Sequence, residues 1–274
     1  MEAFDLKTRI LVAAVGLPLI LLVLLVLPPV VTALMIAAMS VIAVYELLFQ
    51  TGLARNLYLL IASALMALIV CFWSFGGCPW QWGIVVLWLY FMSLFVILIS
   101  SHGKLPFAEI CIAAFSGIVI PLLLSSLTRI LLMNYGRFYI LIPLILSFAT
   151  DSGAYFVGIA ICKHKMAPIL SPKKSWEGAA GGVISAMLVM FLYTLVLDLA
   201  FGFDVRYGAA VIYGAVGSVT CILGDLTYSA IKRQTGIKDY GNLLPGHGGI
   251  LDRFDSVTFV APFVWLALCM FGAM

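Results

Sequence analysis

Residues 82–99 read WGIVVLWLYFMSLFVILI and contain no charged side chain. About 20 apolar residues let an α-helix cross the hydrocarbon core of a bilayer. Similar apolar runs lie at 10–27, 30–49, 57–75, 107–127, 139–160, 178–199, 209–231 and 256–273. The whole chain is 64% hydrophobic and only 10% charged, which excludes a soluble globular protein. The sequence therefore predicts an all-α, polytopic membrane protein with about nine spans.

The basic residues predict the side of the membrane that each loop faces, because Lys and Arg in short loops stay in the cytoplasm. With the N-terminus in the cytoplasm, only Arg129, Arg137 and Arg206 of the 15 basic residues fall in outside segments. Lys7 and Arg9 precede the first span, as in a signal peptide. That span is long and lacks a clear cleavage site, so we interpret it as a retained anchor.

Neither the net charge of +3 nor the six cysteines indicates a nucleic-acid surface, a disulfide framework or a zinc site. Basic loops beside anionic lipid explain the charge without a nucleic-acid surface, so we expect no nucleic-acid partner. The cysteines lack CxxC spacing and are interpreted as small apolar side chains.

Polar residues concentrate at 163–177 and 232–255, and we expect these cytoplasmic loops to carry the function. Residues 139–274 are accordingly predicted to form the catalytic region. Residues 1–138 are predicted to form scaffold helices of the same integrated membrane domain.

Small residues recur at helical spacing in the later spans, for instance Gly178 and Gly182, or Ala210, Gly214 and Ser218. Such rows let helix backbones approach closely. Packing within the chain is favoured over a subunit interface, and a homodimer stays open.

Asp151 and Asp225 lie inside otherwise apolar spans, where an ionised carboxylate costs at least about 2.5 kcal/mol. A structural carboxylate would need a buried base, and neither span contains one. Alternatively, Ser152 and Tyr155 could satisfy a merely structural Asp151. Asp225, Ser229 and Lys232 share one helical face. We therefore predict a hard cation beside Asp225 and phosphates beside Lys232 and its neighbour Arg233.

Lys238 and Asp239 precede the stretch LPGHGGILDRFD at 244–255. Its glycines let backbone N–H groups approach an anion. Asp252 and Asp255 then lie three residues apart on one helical face, and paired carboxylates with phosphate oxygens suit Mg²⁺. Alternatively, these two aspartates only complement a helix N-terminus.

His247 lies within this glycine-rich stretch. It is interpreted as a phosphate donor or a residue that fixes the loop, since Mg²⁺ prefers oxygen ligands.

The second polar loop contains SPKKSWEG at 171–178 and runs directly into a span. Ser175 is predicted to cap that helix, whose free N–H groups, with Lys173 and Lys174, form an anion site. Lys163 and Lys165 fit a membrane-surface tether equally well.

The pattern from Ser229 to Asp255, SAIKR(x4)KDYG(xx)LPGHGGILDRFD, resembles the signature of the CDP-diacylglycerol synthases, or phosphatidate cytidylyltransferases. DSGAY at 151–155, SPKKSWEG at 171–178 and GDL at 224–226 are also similar to motifs of this family. The resemblance is specific in the C-terminal half and rests only on hydropathy in the N-terminal half.

The resemblance implies that CTP and phosphatidic acid react to give CDP-diacylglycerol and pyrophosphate with Mg²⁺, at the cytoplasmic face of a bacterial inner membrane. It implies that Asp225 and Asp252 bind metal, with Asp151, Asp239 and Asp255 as further metal candidates. Asp225, Asp252, Lys232 and Lys238 are the predicted catalytic residues. The predicted phosphate-binding residues are Ser171, Lys173, Lys174, Ser175, Ser229, Lys232, Arg233, Lys238, His247, Gly248, Gly249 and Arg253.

Two other functions fit part of this pattern. A CTP-dependent polyprenol or lipid kinase would share the metal and nucleotide groups but release CDP. An ion-coupled transporter would use Asp151 and Asp225 as ion sites, although the charges gather at one surface and paired broken helices are missing.

Overall fold

A computed structural model describes residues 3–76, 79–243 and 248–271 of the chain. Its helices are α1 (Ala3–Leu25), α2 (Pro29–Tyr45), α3 (Leu57–Gly76), α4 (Trp80–Ser100), α5 (Phe107–Ala114), α6 (Ile120–Leu124), α7 (Ser126–Leu131), α8 (Gly136–Tyr139), α9 (Leu141–Ile161), α10 (Trp176–Phe201), α11 (Tyr207–Gln234) and α12 (Leu251–Phe271). Strands β1 (Lys165–Ala167) and β2 (Ser171–Ser175) separate α9 from α10. The predicted all-α architecture is confirmed.

Seven helical segments in the described ranges are long and apolar enough to cross a membrane. Two shorter apolar helices, Ala14–Leu25 and Leu57–Trp73, occupy two more of the predicted runs. Large apolar side chains such as Ile99 and Leu199 remain about three-quarters exposed on the protein, at 76% and 78%. Such a surface fits lipid contact, whereas the exact span count and the side of the N-terminus stay predictions.

Two π-helical turns interrupt the N-terminal helices, at Glu46–Gln50 after α2 and at Phe115–Val119 after α5. A π turn frees backbone carbonyls from the regular helical ladder. The carbonyl of Ala113 accepts hydrogen bonds from the hydroxyls of Ser63, Tyr90 and Ser116 at 2.9–3.1 Å. Buried hydroxyls from neighbouring helices therefore stabilise this turn.

The chain forms two compact units. The first comprises Met1–Arg137 and Gln234–Phe254, and the second comprises Phe138–Arg233 and Asp255–Met274. The core of the first unit contains fully buried apolar residues such as Leu48, Leu59 and Leu94.

Glycines bring α9 and α10 together in the second unit. A Cβ on Gly178 would lie 2.9 Å from the carbonyl oxygen of Ala154, and a Cβ on Gly182 would lie 2.8 Å from that of Thr150. A Cβ on Gly214 of α11 would lie 2.6 Å from Cα of Met187 in α10. The predicted use of these small residues for packing within the chain is confirmed.

The segment 163–177, predicted as a loop, contains a β-hairpin, so that expectation was wrong. Lys165 pairs with Ser175, and Ala167 pairs with Ser171, in antiparallel register. The N–H of Trp176 also donates to the carbonyl of His164 at 3.1 Å. The connection lacks the Asn-Gly or Asp-Gly signal of tight hairpins, so the sequence did not indicate the pairing.

Candidate active site

An ion pair between β2 and α11 lies at the centre of the second unit's polar groups. Lys174 Nζ is 2.5 Å from Asp225 Oδ2, and the two side chains are 24% and 26% exposed. Ser229, one turn further along α11, donates to Asp225 Oδ1 at 3.2 Å. The basic partner that is absent from the span of Asp225 is therefore Lys174 of the hairpin. The prediction that Asp225 and Ser229 share one helical face is confirmed.

Two more aspartates interact electrostatically with Asp225. One is Asp151 of α9, and the other is Asp255 in the first turns of α12. The ammonium group of Lys174 attracts the Asp151 carboxylate, and that of Lys232 attracts the Asp255 carboxylate. Three carboxylates and two ammonium groups thus share one region of the second unit.

A glycine of α11 allows α12 to approach at this level. A Cβ on Gly224 would lie 2.8 Å from the carbonyl oxygen of Asp255 and 3.1 Å from the ring of Phe259. Gly224 directly precedes Asp225, and this close packing brings that part of α11 beside Asp255. The motif GDL at 224–226 therefore combines a packing residue with a charged one.

A cavity of about 190 Å³ opens beside the ion pair. Its polar lining includes Asp151, Tyr155, Lys173, Lys174 and Ser175. Ser175 caps α10, because its Oγ accepts the N–H of Gly178 at 3.1 Å. The predicted cap is confirmed, and it lies at the N-terminal end of a 26-residue helix, which favours anions.

Several polar groups around the hairpin bind each other and the end of α11. Glu177 accepts hydrogen bonds from His164 Nδ1 at 2.6 Å and from two backbone N–H groups, those of Lys163 and His164. Arg233 Nε donates to the carbonyl of Leu170 at 3.2 Å. Arg233, predicted to bind phosphate, therefore also ties the hairpin to α11.

In the first unit, Asp252 organises the glycine-rich stretch. Its Oδ2 accepts the N–H groups of Tyr240 at 2.7 Å and Gly249 at 2.9 Å. Gly248 has a φ of +82°, which an L side chain rarely adopts, and a Cβ there would lie 2.8 Å from the same oxygen. One oxygen of this predicted metal ligand is thus engaged by the loop.

The other predicted site residues differ in exposure. Lys238, Asp239 and Arg253 have exposed side chains. Ser171 of the hairpin is half-buried at the start of β2. His247 lies outside the described residues.

Glu46 is a buried charged residue that was not among the predicted site residues. Its side chain is 2% exposed, and its carboxylate accepts the N–H groups of Ile250 at 2.9 Å and Leu251 at 2.8 Å. Glu46 is an acidic residue inside an apolar run, the same signal that singled out Asp151 and Asp225.

No three His, Cys, Asp or Glu side chains among the described residues are grouped closely enough to hold a metal ion together. Mg²⁺ in enzymes is usually bound by one or two carboxylates with substrate phosphates and water. A site completed by substrate is compatible with these carboxylates, and the five metal assignments stay predictions.

The fold and these charged groups define an integral membrane protein in which acidic and basic side chains of the second unit lie close together. The model of the cytidylyltransferase family matches residues 7–271. The chain belongs to this family, and it is a nucleotidyltransferase by that membership.

Several curated relatives are similar to this chain, and each carries the name phosphatidate cytidylyltransferase. The Haemophilus influenzae protein is 32% identical over 94% of this chain and 96% of its own length. The Bacillus subtilis protein is 45% identical over 139 residues, which span about half of each chain, 51% and 50%. A Staphylococcus aureus protein is 35% identical over 69% of this chain and 72% of its own.

Proposed function

We propose that this chain transfers the cytidylyl group of CTP to phosphatidic acid, giving CDP-diacylglycerol and pyrophosphate at the cytoplasmic face of a bacterial inner membrane. Its family and the names of its relatives support this reaction. The observation that carries the site is the Lys174–Asp225 pair, which joins a basic hairpin to a carboxylate of a membrane-spanning helix.

The reaction needs two anions to approach each other. A phosphate oxygen of phosphatidic acid attacks the α-phosphorus of CTP, and the bond to the bridging oxygen of the β-phosphate breaks. Because the lipid phosphate is already ionised near neutral pH, no strong general base is required. The chain's principal task is to position and neutralise the phosphates.

The residues around the cavity suit that task. Lys173 and the capped N-terminus of α10 face the cavity as an anion site, and Lys174 lines it beside Asp225. Lys232 adds positive charge near Asp255. The leaving pyrophosphate would be held by these bases, with Arg233, Lys238 and Arg253 as further contributors.

The carboxylates of this region suit a divalent cation, because Mg²⁺ prefers oxygen ligands. Asp151, Asp225 and Asp255 supply three carboxylates beside the ammonium groups of Lys174 and Lys232. Asp225 and Asp252 are the proposed ligands, with Asp151, Asp239 and Asp255 as additional candidates. Mg²⁺, when bound, supplies charge neutralisation between the reacting phosphates.

Purified protein with CTP, Mg²⁺ and phosphatidic acid tests the proposal. We expect pyrophosphate and CDP-diacylglycerol in equal amounts, and no product when diacylglycerol replaces phosphatidic acid. Release of CDP would instead indicate a lipid kinase, and ion uptake without CTP consumption would indicate a transporter.

Asp198→Asn provides a matched control for Asp225→Asn. Asp198 lies in the last turn of α10, at the opposite end from Ser175, and accepts a hydrogen bond from the hydroxyl of Tyr207 at 2.6 Å. Both substitutions remove a charge from the second unit, but only Asp225→Asn should abolish product formation. Equal losses in the two variants would contradict a site at Asp225.

A further inference from the structure

We propose that Glu46 is a positioning residue for the transfer reaction, because its buried carboxylate holds the backbone at the start of α12 and thereby orients Asp252. The inference rests on the proposed function, since it assigns Glu46 to a segment that the function uses. Glu46 itself would contact neither substrate.

The start of α12 needs hydrogen-bond acceptors from elsewhere in the chain. The first N–H groups of an α-helix have no partner inside the helix and need an acceptor. Ile250, the residue before α12, has an apolar side chain that cannot accept a hydrogen bond. The Glu46 carboxylate supplies two acceptors. Its Oε1 accepts the N–H of Ile250, and its Oε2 accepts the N–H of Leu251. A residue 204 and 205 positions earlier therefore caps this helix.

The contact between Glu46 and the start of α12 is buried. Glu46, Ile250 and Leu251 are 2%, 9% and 1% exposed, so water cannot replace the carboxylate as acceptor. A buried carboxylate is itself costly unless its oxygens are hydrogen-bonded. Each partner therefore needs the other, and their separation would leave buried groups unsatisfied.

Two glycines pack closely against the Glu46 carboxylate. A Cβ on Gly241 would lie 2.9 Å from Glu46 Oε1, and a Cβ on Gly249 would overlap the same carboxylate. Neither glycine has a positive φ, so space and not backbone conformation requires them. Gly241, before the glycine-rich stretch, and Gly249, within it, thus both pack against Glu46.

The backbone of Gly249 and Ile250 connects the Glu46 contact to Asp252. Gly249 N–H, next to the Glu46 contact at Ile250, donates to Asp252 Oδ2 at 2.9 Å. Glu46 and Asp252 therefore hold consecutive backbone N–H groups, those of Gly249, Ile250 and Leu251. A shift of this backbone would move the Asp252 carboxylate, and a displacement of about 1 Å can reduce turnover about a hundredfold.

The π-helical turn that begins at Glu46 supports a positioning role. It extends from Glu46 to Gln50, directly after α2. Such turns occur frequently at functional sites. Here the first residue of the turn carries the carboxylate that reaches the start of α12.

Glu46→Gln is the principal test, because the amide keeps the size of the side chain but replaces one acceptor with an N–H₂ donor. We expect hydrogen exchange of the full-length protein to become about tenfold faster or more in the peptide that covers Gly248–Asp252. Exchange in α2 around Ala33–Ser40 should stay unchanged. In the same preparation, kcat for CDP-diacylglycerol formation should fall at least about tenfold.

Ser40→Ala is the matched control in α2. Ser40 is fully buried, accepts a hydrogen bond from Cys71 Sγ at 3.3 Å, and lies six residues before Glu46. We expect it to retain exchange protection at Gly248–Asp252 and turnover within about twofold of the unaltered chain. If both variants lose protection everywhere, or if Glu46→Gln keeps normal kcat, the positioning role is overturned.

Gly241→Ala provides a second route if Glu46→Gln does not accumulate in membranes. It keeps the carboxylate but crowds Oε1, so we expect the same local loss of protection and a smaller loss of kcat. Unchanged protection and kcat in this variant would also overturn the inference. If the unaltered chain fails to make CDP-diacylglycerol, the proposed function is wrong, whereas the exchange data still decide whether Glu46 holds the start of α12.

Discussion

The Lys174–Asp225 pair allows a functional ion pair to be distinguished from a structural one. Lys174→Met and Asp225→Asn each remove one charge, and the double variant removes both. The atoms Nζ and Oδ2 are 2.5 Å apart, and about a quarter of each side chain is exposed, 24% and 26%. Either single substitution therefore leaves a largely shielded charge without its principal partner.

The structure sets the expected size of the effect. Loss of one partner of a fully buried ion pair costs about 3–5 kcal/mol, and an unsatisfied buried polar group costs about 1–3 kcal/mol. Partial exposure and the remaining Ser229 bond to Asp225 place the cost near the lower range, about 1–3 kcal/mol. Each kcal/mol lowers the thermal unfolding midpoint by roughly 2–4 °C.

Stability and activity should respond differently in the double variant. Its midpoint should lie above the value expected from adding the two single losses, because no unpaired charge remains. Its product formation should stay abolished, since Lys174 and Asp225 each act on the reacting phosphates or metal. Midpoints in one detergent and CDP-diacylglycerol formation measure the two quantities, with Asp198→Asn as control. Recovery of turnover in the double variant would refute the proposal that Lys174 and Asp225 take part in the transfer reaction.

Three further changes test other residues of the site. Lys232→Ala should raise the KM for CTP or phosphatidic acid at least about tenfold, and steady-state kinetics with unchanged KM values would contradict phosphate binding by Lys232. Asp252→Asn should abolish transfer while the amide of Gly249 stays protected in hydrogen exchange, because the side-chain oxygen can still accept its N–H; normal turnover with Mg²⁺ would exclude a metal role. Ser175→Ala should cost about 1 kcal/mol through the lost cap of α10, whereas Ser175→Gly should cost only a few tenths, and equal midpoints for both variants would argue against the cap.

Helix positions were predicted well because membrane insertion depends on local hydropathy. The run predicted at 178–199 is helical from Trp176 to Phe201, and the run predicted at 209–231 extends from Tyr207 to Gln234. The longer α11 includes Lys232 and Arg233 in its last turn. Helix ends depend on caps and nearby partners, which average hydropathy does not report.

The π-helical turns could not be predicted in the same way. The turn at Phe115–Val119 follows a carbonyl, that of Ala113, which binds hydroxyls of Ser63 and Tyr90 from other helices. Nothing in the local sequence indicates which hydroxyls lie beside it. Tertiary packing therefore decides where the helical ladder is interrupted.

The sequence indicated candidate site residues, but it did not indicate their partners in the folded chain. Asp225 and Lys174 were each selected from composition and position, yet their pairing depends on a hairpin that the sequence did not indicate. Arg233 was expected to bind phosphate and also binds the carbonyl of Leu170. Glu46 was overlooked although the rule for ionisable residues in apolar spans applies to it.

The sequence by itself determined the solvent of this protein and the kinds of chemistry available to it. Long apolar runs require a membrane, and carboxylates, lysines and glycines near their ends indicate metal and phosphate chemistry. Tertiary structure alone decided which charge meets which, as in the Lys174–Asp225 pair and the capping of Leu251 by Glu46 across 205 positions. Hydropathy acts residue by residue, whereas hydrogen bonds and ion pairs depend on contacts that the chain makes only when it is folded.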